Sequence, residues 1–229
     1  MISREEALQF VNEQIENKNI VKHMLATEGC MVALARELKA RKREQKSDKL
    51  QLVIPSDNNI QPKSDPPRAE NVVNPKGDER ALIDEEKWGL AGLLHDADYR
   101  EDVPAEKQGV AVTEMLAERG YEIPEDMAHA MAAHNSETGV APESLMDWAI
   151  FCCDSLTGLI VATALVRPDK KLASVEVKSV MKKYKVPSFA SGTRREDIAL
   201  CEEKLGIPLE EFVGICLTAM QGIADPLGL

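Results

Sequence analysis

The residues of this chain able to do chemistry are a carboxylate in an apolar run and a set of histidines on apolar faces. Asp154 sits inside the stretch from Ala149 to Val166, where its helical neighbours are Ile150, Phe151, Gly158 and Val161. An unpartnered carboxylate there would cost on the order of several kcal/mol. A salt bridge, a hydrogen-bond network or a metal must compensate. No Lys or Arg occurs in that segment before Arg167. The partner must therefore come from another element, and a cation shared with histidines is an economical solution.

Four histidines exist, His23, His95, His129 and His134. At 100° per residue His23 shares its stripe with Ala26, Thr27, Cys30 and Leu34, small neighbours that leave room for an imidazole. His95-Asp96 ends a run of Trp88, Gly89, Leu90, Ala91, Gly92, Leu93 and Leu94, so two ligand-type residues stand side by side with Gly and Ala below them. His134 shares a face with Met127, Ala130 and Met131. His129 is five positions earlier, about 140° around the helix, and is expected at the surface. Nitrogen and carboxylate oxygen donors suit Mn, Fe, Co, Ni or Zn rather than Ca. Each histidine taken singly is also compatible with a hydrogen-bonded core residue.

The elements that must position these groups read as helices. Only 4% of residues are aromatic, and a core of Ala, Leu, Val, Ile and Met suits packed helices better than a sandwich of strands. Ser3 with Glu5-Glu6 opens a first short helix. A second spans about Asn19 to Leu38. Asp84-Glu85-Glu86 caps a third running from Trp88 towards Tyr99. Ala105 to Arg119 follows and ends at Gly120. Pro124 and Pro142-Glu143-Ser144 open the next two, and the tail holds helices over Val175 to Tyr184, Arg194 to Leu205 and Leu209 to Ala224. The fold class is all-α, one domain over 1-229. Within it, Lys39 to Asp84 holds five prolines and little apolar periodicity, which predicts a flexible, Pro- and charge-rich insertion. Its Leu50 to Ile54 run would be a short edge strand or one arm of a hairpin.

The net charge of -11 makes the chain a poor partner for long nucleic acid. Yet Arg167 to Arg195 holds nine basic residues against Asp169 and Glu176, a cluster that would either receive a small anion or form a solvated face. Five cysteines without a Cys-x-x-Cys spacing predict a reduced, cytoplasmic protein with Cys in the core. The polar N-terminus MISREEALQF is no secretory signal. The apolar run from Ala149 approaches membrane-spanning length but carries Asp154, Ser155 and Thr157, so a buried helix and no membrane partner are expected.

The blocks Lys22-His23-Met24-Leu25-Ala26-Thr27-Glu28, Ala91-Gly92-Leu93-Leu94-His95-Asp96-Ala97-Asp98-Tyr99, His134-Asn135 and the run from Asp154 to Pro168 together resemble the HD-domain family of metal-dependent phosphohydrolases, in particular small hydrolases with an HDIG-type motif. The likeness covers nearly the whole chain except Lys39 to Asp84. It implies an HD-type helical bundle in which His23, His95, Asp96 and Asp154 bind a divalent transition metal. It also implies that His134 supports a second ion or contacts substrate. Where many relatives carry a further histidine, this chain has Gln108, a poor ligand, so one ion per chain is the expectation.

The activity implied is hydrolysis of a phosphate ester, a nucleotide or another small phosphoester, by metal-activated water. Asp96 would also orient or deprotonate that water, with His134 as the other catalytic residue. Arg167, Lys170, Lys182, Lys183 and Arg194 are candidates to hold phosphate oxygens. Three rivals stand beside this reading: a metal- and nucleotide-binding sensor without turnover, a di-iron oxygenase on the same scaffold, and a purely structural polar network.

Overall fold

The computed structural model describes residues 1–51 and 83–229, and among them the regular structure is helical, with no strand. Ser3 starts α1 (Arg4–Gln14) with a reciprocal cap: the Glu6 N–H donates to Ser3 Oγ, and the Ser3 N–H donates to the Glu6 carboxylate at 2.9 Å. The second helix, α2 (Lys18–Gln51), is the long axis of the fold. α3 (Glu85–Leu94) is capped by Asp84, whose carboxylate accepts from the Glu86 and Lys87 N–H groups. Then come α4 (Ala111–Glu118), α5 (Glu125–Ala133) and α6 (Leu145–Leu165), the last opened by a capping box of Ser144 and Asp147. The chain closes with α7 (Val177–Tyr184), α8 (Arg195–Leu205), α9 (Leu209–Gly222) and α10 (Ala224–Leu227).

Two expected boundaries are corrected. The segment from Lys39 does not leave the helix: α2 continues through Gln51. Its first proline is Pro55, and Lys39 to Gln51 is built largely from Lys, Arg, Glu, Gln, Ala and Leu, all good helix formers. Leu50 and Gln51 are therefore helical rather than part of a strand, while the rest of the expected insertion, residues 52–82, lies outside the described residues. Likewise Ala105 to Arg119 is not one helix. A single 3-10 turn over Ala105–Lys107 is followed by Gly109 at φ +91, and the helix starts only at Ala111.

α2 and α6 supply the framework on which α3, α5, α8 and α9 pack. Gly89 and Gly92 set the spacing of α3 on α2. A Cβ on Gly92 would stand 2.9 Å from the Glu28 nitrogen and from the Thr27 carbonyl oxygen, and one on Gly89 would stand 2.8 Å from Val32 Cγ2. The two backbones therefore lie closer than any side chain would permit, and the chain that follows Leu94 is delivered to the His23 face of α2. α6 is long and apolar enough to cross a membrane by length and composition, but its Ile150, Cys153, Leu156 and Ile160 are fully buried in this core. All five cysteines are buried and free. Trp88 is a core residue, whereas Trp148 is half-buried and packs edge-on against Phe151.

Candidate metal centre

His23 projects from the second turn of α2, His95 and Asp96 follow the last residue of α3, and Asp154 comes from the middle of α6. Their donor atoms converge. His23 Nε2 lies 3.2 Å from His95 Nε2 and 2.9 Å from Asp154 Oδ1. Asp96 Oδ2 is 3.5 Å from His23 Nε2 and 3.4 Å from His95 Nε2. His95 Nε2 is 3.5 Å from Asp154 Oδ1. His23, His95 and Asp96 thus form a His-His-Asp group able to hold a metal ion.

The tautomers follow from what each Nδ1 meets. A carbonyl oxygen only accepts, so His95 Nδ1 must donate to the Gly92 carbonyl at 2.8 Å, and His134 Nδ1 to the Met131 carbonyl at 2.5 Å. His23 Nδ1 faces Thr157 Oγ1 at 2.9 Å, and that hydroxyl already donates its proton to the Asp154 carbonyl. The hydroxyl is therefore the acceptor for His23. All three rings hold a proton on Nδ1 and turn Nε2 inward, so each neutral imidazole aims a lone pair at the cluster, the arrangement by which a neighbour fixes a ligating imidazole.

Two carboxylates complete the set. Asp96 divides its oxygens: Oδ2 faces His23 and His95, and Oδ1 lies 3.3 Å from His134 Nε2. Asp154 turns Oδ1 to the histidines and Oδ2 to Arg194 Nη2 at 3.6 Å. Burial disfavours charge on His95, Asp96 and Asp154, yet their charged neighbours outweigh it. Burial works against a charged His95, but Asp96 and Asp154 hold its pKa well above the ordinary imidazole value. Burial likewise opposes ionised Asp96, and His95 and His134 still keep it well below the carboxylate range. The same contest lowers Asp154, through His23 and His95. The chemistry of the donor set, nitrogen lone pairs and carboxylate oxygens aimed at one another, fits a divalent transition metal.

The cluster forms the floor of a cavity of about 560 Å³ lined also by Ile20, Tyr99, Gln108, Asn135 and the loop Ser191-Gly192-Thr193. Of the five basic residues expected to meet phosphate, only Arg194 lines it. Arg194 is braced by Asp197 at 2.6 Å. Arg167 turns instead to Ser174 Oγ at 2.9 Å, Lys183 lies over the Phe189 ring, and Lys170 and Lys182 are exposed away from the cavity. Pooled positive charge along the sequence does not say which side chains a helix turns to the pocket. Gln108 does line the cavity, and its Nε2 donates to the Val103 carbonyl at 3.3 Å. His129, expected at the surface, is instead half-buried and bonded to the buried Asp147 at 2.9 Å, and it does not line the cavity. Glu28 is buried, but its partner is Arg4 rather than the cluster.

Thr157, which accepts from His23, was given no site role in the sequence, and Asn135, read there beside His134, lines the cavity. Thr157 is one turn beyond Asp154 on the same helix, which was the available signal. No family model, curated protein or solved structure matches the chain.

Proposed function

We propose that this protein is a metal-dependent phosphohydrolase of the HD type, acting on a nucleotide or another small phosphate ester. The observation that supports this most is the inward-facing set of three Nε2 lone pairs and two carboxylates on the floor of an open cavity, with one arginine beside it. A structural polar network alone would pair each acceptor with a donor. Here the three Nε2 atoms and the two carboxylates share one centre that must be filled by positive charge, carried either by an added proton on His95 or by a bound metal ion, and the open cavity beside it favours the ion.

His23, His95, Asp96 and Asp154 would hold the ion, one per chain, with Gln108 in place of a further imidazole. Such an ion, when bound, supplies Lewis acidity toward a phosphoryl oxygen and acidifies water. Asp96 Oδ1, directed at His134 Nε2, is placed to orient the attacking water and accept its proton. His134 can then relay that proton, since its ring is fixed by Met131. Arg194 would hold the phosphate oxygens, and the Ser191-Gly192-Thr193 loop borders the same space. Partial burial of the floor lowers the local dielectric and strengthens each of these interactions.

The experiment is elemental analysis of protein purified without a chelator, followed by a screen of phosphate esters with the metal found. One transition-metal ion per chain and metal-dependent phosphate release are expected. Metal with ligand-induced stabilisation but no turnover would replace hydrolysis by sensing at the same site. No metal after addition of Mn, Fe or Zn would overturn both.

A further inference from the structure

Asp98 is fully buried, does not line the cavity, and accepts hydrogen bonds only from main-chain N–H groups. Its carboxylate accepts the Gly109 N–H at 2.9 and 2.8 Å and the Val112 N–H at 2.9 Å. A buried carboxylate with only main-chain donors, two residues past a ligand pair, is a costly device unless it positions something. What it positions is Gly109. That residue has φ +91, and a Cβ there would run into the Met131 carbonyl oxygen and stand 3.0 Å from His134 Cε1. The Gly109 backbone is therefore pressed flat against the His134 ring and against the carbonyl to which that ring donates. Asn135 ties the same segment from the other side, its Nδ2 donating to the Ala105 carbonyl at 2.7 Å.

We propose that Asp98 is a positioning residue for His134: by holding the Gly109 N–H it clamps the imidazole with Nδ1 on the Met131 carbonyl and Nε2 toward Asp96. The proposal rests on the reading that His134 works in this cavity, but it concerns the chain alone. It requires no bound metal. His23 and His95 have separate anchors, Thr157 and the Gly92 carbonyl, so Asp98 acts on His134 selectively.

The test uses the full chain labelled with 15N-histidine and treated with chelator, with long-range 1H–15N spectra reporting the tautomer of each ring. His134→Gln assigns the signal. In the unaltered protein a single Nδ1–H tautomer at His134 and a slowly exchanging Gly109 amide are expected. Asp98→Asn, which turns an amide NH2 toward backbone N–H donors, is expected to give a tautomer mixture at His134 while His23 and His95 keep their signals. Gly109→Ala drives a Cβ into the Met131 carbonyl and against the same ring and is expected to do the same. With substrate turnover in hand, Asp98→Asn should lower kcat by roughly tenfold or more with metal content unchanged. An unchanged His134 tautomer in folded Asp98→Asn overturns the proposal, as does a displacement of all four histidine signals together in either variant. Should Asp98→Asn fail to fold, an unperturbed His134 in Gly109→Ala overturns it. Because the spectra need neither metal nor turnover, this failure stands apart from failure of the phosphohydrolase reading.

Discussion

His23 and His95 face one another through Nε2 atoms 3.2 Å apart, each with its Nδ1 proton already engaged elsewhere. While both imidazoles are neutral, neither ring can donate to the other. A cation between them removes the conflict, and this yields the first prediction. Adding Zn or Mn to chelator-treated protein raises Tm, by the equivalent of about 2.7 kcal/mol when the free ion reaches a hundred times its Kd. His95→Ala and Asp154→Ala lose that shift and the bound ion in elemental analysis; retention of either contradicts the ligand set.

Thr157 tests the outer support of the same pair. Thr157→Val keeps the shape and removes the acceptor of the His23 Nδ1 proton. Metal affinity should fall by about 10- to 100-fold while the circular dichroism spectrum stays unchanged. Unaltered affinity would show that His23 needs no such anchor.

Gly92 tests the helix spacing. Alanine favours a helix by about 1 kcal/mol over glycine, but its Cβ would stand 2.9 Å from backbone atoms of Thr27 and Glu28. Backbone cannot yield as a flexible side chain does. Gly92→Ala is expected to destabilise the fold by about 1–3 kcal/mol in urea unfolding, and to weaken metal binding because α3 must withdraw from α2. A variant that gains stability would refute the close approach.

Arg194 is the cationic group expected to bear on substrate. Its Nη2 lies 3.6 Å from Asp154 and 3.4 Å from the His134 carbonyl. Arg194→Ala should raise KM for a phosphate ester by roughly tenfold or more with metal retained, whereas Arg167→Ala and Lys170→Ala leave KM unchanged. Equal effects from all three would mean that diffuse charge, not one side chain, attracts the substrate.

The cysteines give the pH dependence. Burial pushes the Cys201 thiol up to about 11, and burial with the Cys30 contact pushes Cys216 up as well. A raised folded-state pKa contributes stability that is present below the unfolded value near about 8.5 and is lost as pH rises toward the folded one. Stability should therefore decline above about pH 8.5, and iodoacetamide should label no cysteine of the native chain at about pH 7.5. Alkylation is read by intact mass, and labelling without unfolding would show an exposed thiol.

The residues of the cluster were legible in the sequence because each interrupts an apolar surrounding: Asp154 among Ile150, Phe151 and Val161, and His95-Asp96 after Leu93-Leu94. Burial of such groups demands a partner, and the demand can be read without a structure. Asp98 belongs to the same block but carries no such signature, because its partners are main-chain N–H groups eleven and fourteen residues on. The basic run misled for a related reason. Arg167 and Arg194 look alike as charges, and only the loop leading into α8 turns one of them to the cavity. The long α2 was hidden by grouping Lys39 to Gln51 with prolines that begin only at Pro55.

His95 and His134 each close a helix, α3 and α5, and each ring donates to a carbonyl three residues back that the helix leaves without an intrahelical partner. The negative poles of both helices thus converge where a cation is wanted. Helix ends are also where fraying starts, so an ion bound at these carbonyl-anchored rings would hold two terminal turns in place as it is held by them. Changing what this centre binds would mean changing where its helices stop.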